Sequence, residues 1–255
     1  MKYINFNQNI DKLRDSFNDS DKPYRYIILD NFFNEEYTFE LSDNFPKISD
    51  DVWIRPRHNL YGKKNIFEQK MISISNYENL PFLASEIFDE LNSEDFVELL
   101  KKITGISNLI EDSYNKIGNW AGLRAMLPGG YQAIHSDARI HPNLGLEKKI
   151  TLVGYLNNEW KKEDKGELEI WENDMSKKYE EIPPMNNRVI IFENGDTSYH
   201  GVPEVKSFRK SFLASYLIDD KNFIHSRAKA KFVRRPNEGN EKLWKELSEM
   251  RESIM

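Results

Sequence analysis

The sequence predicts a mainly β protein with flanking helices, an α+β chain whose β part closes into a sandwich or barrel. Three observations carry this prediction. From residue 116 onward, short β-rich runs alternate with turn clusters, the spacing of an all-β unit. Ahead of them, apolar residues recur at i, i+3 and i+4, the period of an amphipathic helix. No internal repeat, low-complexity block or Gly/Ser/Pro linker interrupts the 255 residues, so one domain is expected. On this reading residues 1–115 form an N-terminal strand and helical flank, 116–222 the β core, and 223–255 a tail and helix.

Each element has its own signal. "YRYIILDNFF" (24–33) is β-branched and aromatic and ends in an Asp-Asn turn, so it reads as a strand. "NEEYTFELSDNF" reads as a short helix, and "NLPFLASEIFDEL" (79–91) as a longer one by its apolar spacing. In "NSEDFVELLKKITG", Ser93 suits the N-cap, acidic residues fill the first turn, lysines the last, and Gly105 suits the stop. That helix turns Phe96, Leu99, Leu100 and Ile103 to one face, toward the core. "GLRAML", "YQAIH", "KKITLVGYLN", "GELEIWE", "NNRVIIFEN", "TSYHGVPEV" and "RKSFLASYLID" are the strand segments, and "NEKLWKELSEMRES" closes the chain as a charged amphipathic helix.

Composition narrows the function. Apolar residues are 39% and aromatics 13%, enough for a core in which Trp, Tyr and Phe supply much of the buried area. The net charge of -6 argues against nucleic-acid binding, which needs a clustered basic face. The basic run "SRAKAKFVRRP" (226–236) reads as solvated. With no cysteine there is no disulfide, thiolate ligand or cysteine nucleophile, and a reducing cytoplasm fits. The N-terminus lacks the apolar run of a secretory signal, and no segment reaches eighteen apolar residues, so no membrane association is expected.

The chemistry centres on "YQAIHSD" (131–137). An H-x-D triplet alone is weak, since it also arises by chance on a surface. On a strand, however, Tyr131, Ala133 and His135 share one face and Asp137 follows on it. "TSYHGVPEV" then offers His200 on a later strand. Two neutral imidazoles and one carboxylate converging on one ion make the facial triad of non-haem Fe(II) oxygenases, which leaves three positions open. If the cosubstrate is 2-oxoglutarate, its distal carboxylate needs a buried cation, best an arginine fork. Arg209 lies nine residues past His200 at the start of a strand. Ser211 shares its face, and Tyr155 on "KKITLVGYLN" can offer a hydroxyl.

With these blocks in order, the sequence resembles the prolyl 4-hydroxylase-like branch of the Fe(II)/2-oxoglutarate-dependent dioxygenases. "LLKKITGISNLI", "LPGGYQAIHSD", "ITLVGYLNNEW", "KGELEIWENDM", "IPPMNNRVIIF", "SYHGVPEV" and "RKSFLASYLID" carry the resemblance over roughly residues 95–220, and "YIILDNFF" looks like the family's entry strand. It implies a double-stranded β-helix (jelly-roll, cupin-like) core and Fe(II) at His135, Asp137 and His200. It further implies 2-oxoglutarate held by Arg209, with Tyr155 and Ser211 as helpers, O2 as the other cosubstrate, and release of succinate and CO2. Arg188 is expected to be structural. The sequence departs from the pattern in places. Arginine rather than the lysine of collagen-type members stands at the cosubstrate tail, Leu127 stands where many relatives carry tyrosine, Arg124 gives "GLR" for "GLH", and Lys165 replaces the first glycine of a Gly-Gly pair.

The substrate is less legible. The resemblance implies a prolyl residue of a protein or peptide, whereas a small molecule (free amino acid, sugar, nucleotide or secondary metabolite) suits the same chemistry, because fold does not settle substrate. A catalytically silent jelly-roll binding module is the reading from another class, and an intact triad argues against it. Arg124, Tyr131, Trp53, Arg55 and Arg57 are the candidate substrate contacts, the last three in a loop over 50–65. His141 is expected in a loop near the mouth, His58 and His225 as ordinary histidines, and Trp160 and Trp171 as core or rim.

Overall fold

The computed structural model describes residues 1–55, 59–60, 63–111, 121–141, 144–219, 229–236 and 238–252. The chain runs α1 (Ile10–Phe17), β1 (Tyr26–Asp30), α2 (Glu35–Asp43), β2 (Asn59–Leu60), β3 (Lys63–Lys64), β4 (Glu68–Ile74), α3 (Phe82–Leu91), α4 (Glu94–Thr104) and β5 (Leu109–Glu111). It continues through β6 (Gly122–Ser136), β7 (Glu147–Tyr155), β8 (Leu168–Trp171), β9 (Lys178–Ile182), β10 (Arg188–Glu193), β11 (His200–Val202), β12 (Arg209–Ile218), β13 (Lys231–Phe232) and α5 (Glu241–Glu252).

All strands but β2 and β3, which pair only with each other, form one curled sheet in the order β1-β10-β7-β12-β6-β11-β8-β9, with β4 and β13 added on β6 and β5 on β12. Every pair is antiparallel. The 15-residue β6 joins the two leaves: its first half pairs with β12 and β4, its last with β11 and β13. The joint is "LPGG". Opposite it β4 advances from Gln69 to Met71 while β6 advances from Tyr131 back to Met126, so four residues bulge against one. What reads in sequence as two strands and a turn is therefore one strand that changes leaf. This is the mainly β jelly roll with flanking helices that the sequence predicted.

One face of the β10-β7-β12 leaf packs on the helices. Phe212 meets Phe33 and Phe88, and Tyr216 meets Phe96 and donates its hydroxyl to Leu91 O at 2.9 Å. The opposite face of those strands is left to line a cavity. α4 forms as its caps predict: Ser93 Oγ accepts from the Phe96 N–H (3.3 Å), and Gly105 ends the helix at φ 76°. α3 starts later than its apolar spacing suggests. Pro81 sits at its N-cap and disfavours helical backbone in the residue before it, so residues 77–79 form a separate 3-10 turn. α1, unassigned from sequence, starts at Asn9, whose side chain accepts from the Lys12 N–H. Arg188 is structural as expected, with Nε and Nη2 on the two Asp30 oxygens across β1 and β10. Among the described residues no helix is long and apolar enough to cross a membrane.

Candidate active site

The triad comes from strand register. His135 near the end of β6 and His200 at the start of β11 are direct cross-strand partners, with ring centroids 4.3 Å apart. Asp137 follows β6, and its Oδ1 lies 3.3 Å from His135 Nε2 and 3.9 Å from His200 Nε2. One donor atom from each residue falls within 4.8 Å of the others, so the three could hold a single ion. The imidazoles are oriented for it. His135 Nδ1 faces Ala133 O at 3.0 Å and His200 Nδ1 faces Ser198 O at 2.9 Å. A carbonyl only accepts, so each Nδ1 carries the proton and each Nε2 turns a lone pair toward the common point. This donor set fits Fe(II).

The surroundings set the charge states. Burial alone would raise the Asp137 carboxyl, but Lys148 and the two histidines hold it well below the usual carboxylate range. Lys148 Nζ sits 2.6 Å from Asp137 Oδ2, and Thr151 Oγ1 lies 3.4 Å from the same oxygen. That leaves Oδ1 facing the histidines. Burial first, and His135 second, push His200 down to about 4. Near neutral pH the site therefore presents an ionised carboxylate and a neutral His200, as metal binding requires. Phe192 packs on the His200 ring and Phe232 on the His135 ring, at 4.8 and 5.3 Å.

Lys148 was missed by sequence reasoning, and the reason is a bulge. Strict alternation puts Lys149, not Lys148, on the face of Thr151 and Tyr155. On β12 the register steps from Tyr216 to Leu217 while β7 steps from Ile150 to Lys148, so Lys149 is extra and Lys148 turns inward.

The triad opens into a cavity of about 580 Å³. Arg209, Tyr155, Ser211 and Arg124 all line it. Tyr155, Ser211 and Arg124 lie side by side across β7, β12 and β6, and Arg209 is opposite Met126 two residues along. Arg209 is buried, and its guanidinium carbon stands 4.8 Å from the Tyr155 ring centroid. Its Nε donates to Gly166 O at 2.9 Å, and among the described residues no carboxylate pairs with it. The Tyr155 hydroxyl is buried without a hydrogen-bond partner. Lys165, in place of the family's first glycine, adopts φ 53° itself, and Gly166 follows at φ 85°. A Cβ on Gly166 would fall 2.5 Å from Val205 and 3.3 Å from Arg209, so the backbone there must be glycine to support the arginine.

Tyr131 is not brought to the site. Between His200 and Val202 the facing strand runs from His135 to Gln132, three residues against two. This bulge breaks the alternation on which Tyr131, Ala133 and His135 shared a face. Gln132 lines the cavity instead, and Tyr131 faces a separate shallow surface with Pro203 and Arg235. Trp53 packs in the core against Phe45, with its Nε1 donating to Lys47 O, and does not line the cavity. Arg55 does line it, exposed, with Nη2 on Ile48 O. Arg57, His58 and His225 lie outside the described residues. His141 is fully buried rather than at the mouth, and its Nδ1 accepts from the Leu144 N–H.

Residues 121–217, from the start of β6 almost to the end of β12, match the 2OG-Fe(II) oxygenase superfamily. The fold is similar to that of a Pseudomonas putida prolyl-4-hydroxylase: TM-score 0.59 and 13% identity over 82% of this chain and 100% of that one. A Trichoplax adhaerens prolyl hydroxylase, solved with a hypoxia inducible factor peptide fragment, gives TM-score 0.57 and 16% identity over 82% and 87%. A viral collagen prolyl hydroxylase from Paramecium Bursaria Chlorella virus-1, in a 2OG complex, gives 0.50 and 16% over 76% and 96%. At such identities the likeness to these structures is one of fold. The match over residues 121–217 agrees with the oxygenase resemblance drawn from the motifs, and the neighbours agree with the fold it implied.

Proposed function

We propose that this chain, carrying the 2OG-Fe(II) oxygenase match on its jelly-roll core, is an Fe(II)- and 2-oxoglutarate-dependent dioxygenase that hydroxylates an unactivated C–H. The observation that carries this reading is Arg209. A buried cation with no counterion is costly unless an anion arrives to pair with it, and it shares one cavity with a complete His-Asp-His triad. Bound iron would let O2 act as the oxidant, 2-oxoglutarate giving two of the four electrons as it loses CO2 and becomes succinate, and the substrate C–H giving the other two as it becomes C–OH.

The chain's own residues prepare that chemistry. His135, Asp137 and His200 would hold Fe(II) where they line the cavity. Ala133 O and Ser198 O fix both imidazoles in the ligating tautomer. Lys148 holds Asp137 Oδ2, so that Oδ1, the oxygen beside the histidines, is the one that would reach the metal. Arg209 and the unpartnered Tyr155 hydroxyl take the distal carboxylate of 2-oxoglutarate, with Ser211 beside them. Phe192 and Phe232 shield the histidines from water.

The prolyl hydroxylases among the structural neighbours support a prolyl residue of a protein or peptide as the substrate. The excess of cationic over acidic side chains lining the cavity supports an anionic substrate, which a small molecule can also supply. One domain over the whole chain is part of this reading, with the N-terminal flank packed on the β10-β7-β12 leaf and the C-terminal helix packed through Trp244 and Leu247 on Phe67 and Ala133. The test is 2-oxoglutarate-dependent succinate formation under oxygen with added Fe(II). Wild type is expected to form succinate, and His135→Ala and His200→Ala are expected to form none. Undiminished succinate from folded His200→Ala contradicts the assignment.

A further inference from the structure

The cavity holds more positive charge than its carboxylates and the proposed cosubstrate offset. Among the described residues six cationic side chains line it against two carboxylates, in a chain whose net charge is -6. One carboxylate is Asp137, already paired with Lys148. The other is Glu68, whose Oε1 accepts from Gln132 Nε2 at 3.1 Å. Arg209 serves the cosubstrate. Arg124 is then a second buried guanidinium that the chemistry so far does not use.

Its surroundings are those of a waiting anion site. Arg124 is 9% exposed and lies on the same face as Arg209, two residues further along the β6-β12 ladder. Nη1 donates to Ser75 Oγ and Leu123 O, both at 3.1 Å, and Nη2 to Ala121 O at 3.4 Å. These neutral partners fix the fork but cancel none of its charge. No described carboxylate comes within ion-pair distance, Glu68 included, and Nε donates to no described group. Burial lowers the guanidinium to about 10, yet it stays charged at neutral pH. Arg55 and Arg251 add positive charge to the same cavity. Arg251 lies over the Phe67 and Phe232 rings, with a buried Nε that has no hydrogen-bond partner.

We propose that Arg124 binds an anionic group of the substrate, a carboxylate or a phosphate, so that the enzyme acts on an acidic molecule rather than a neutral one. This rests on the dioxygenase reading, because it assigns Arg209 to 2-oxoglutarate. The volume suits it: about 580 Å³ lies within the range of sites for drug-sized ligands, room for the small cosubstrate and a compact second molecule.

The test loads the full chain with Mn(II) in place of Fe(II) and saturates it with 2-oxoglutarate, so that Arg209 is occupied. Acetate, inorganic phosphate and neutral acetamide are then titrated in, and their 13C or 31P relaxation by the bound Mn(II) is followed. The expected result is saturable relaxation of at least one anion and none of acetamide. Arg124→Gln should weaken that anion about tenfold or more, Arg124→Lys should weaken it less, and both should keep Mn(II) and 2-oxoglutarate affinity within about twofold. Tighter acetate points to a carboxylate substrate and tighter phosphate to a phosphorylated one. Equal anion binding in Arg124→Gln overturns the proposal. So does a loss of 2-oxoglutarate affinity in that variant, which would make Arg124 a cosubstrate ligand. Failure of wild type to bind Mn(II), read by its electron paramagnetic resonance, brings down the dioxygenase reading itself and the proposal with it.

Discussion

The candidate ligand residues were readable one by one because their chemistry is restrictive. A chain without cysteine that must hold a metal has histidine and carboxylate left, and H-x-D with a distant histidine is a small set of choices. Arg209 was picked out as an arginine just past the last candidate ligand, and it lies buried in the same cavity. Lys148 was not, although it touches Asp137 directly, because its inward turn depends on one extra residue in β7. Of the neighbours Tyr131 and Gln132, both possible substrate contacts from sequence, a second bulge opposite β11 turns Gln132 and not Tyr131 to the cavity. Lys148 carries the residue-scale prediction. It anchors the Asp137 oxygen that faces away from the histidines, and partners of ligating groups are typically worth 10- to 100-fold in metal affinity. Lys148→Met should weaken Fe(II) or Mn(II) binding by about that factor in an anaerobic titration, and Lys148→Arg by less. Unchanged affinity in Lys148→Met would show the ion pair to be incidental.

Elements were legible where their local signals are self-sufficient. α4 carries its own caps and apolar face, and "YIILD" its own strand pattern, so both appear where expected. β6 was read as separate pieces, because "LPGG" carries the signal of a turn and only pairing with β4 and β12 makes it a bulge within one strand. The "KG" turn before β8 shows how far a departure from the family pattern can be absorbed. Lys165 tolerates its positive φ at the surface, while Gly166 cannot be replaced without meeting Val205 and Arg209. Gly166→Ala should therefore raise the 2-oxoglutarate concentration needed for half-saturation several-fold and leave Mn(II) affinity nearly unchanged. A titration of each ligand separates the two. Equal losses of both would mean that the turn supports the whole leaf rather than the Arg209 fork.

At the scale of the molecule, two leaves joined by β6 bring together residues 65 apart in sequence, His135 and His200, as direct strand partners. That proximity is visible only once the topology is known. The same burial that makes the site has a pH cost. His200 is lowered from 6.5 to about 4 and His141 is lowered too, both by desolvation. The unfolded chain takes up these protons first as pH falls through 6.5. The metal-free protein should accordingly lose stability between about pH 6.5 and 4, His200 accounting for at most ~3 kcal/mol, and denaturation midpoints measured across that range check it. The central claim, that one cavity holds iron at His135, Asp137 and His200 and 2-oxoglutarate at Arg209, is tested most directly by an anaerobic titration of the metal-free protein. Fe(II) is added, then 2-oxoglutarate, and the weak visible band of the iron-bound keto acid is followed. The account predicts a saturable band in wild type, none in Asp137→Ala or His200→Ala, and about ten- to a hundredfold more 2-oxoglutarate to saturate Arg209→Ala. No band in folded wild-type protein, or an undiminished one in His200→Ala, would contradict it and leave a jelly roll that binds without oxidising.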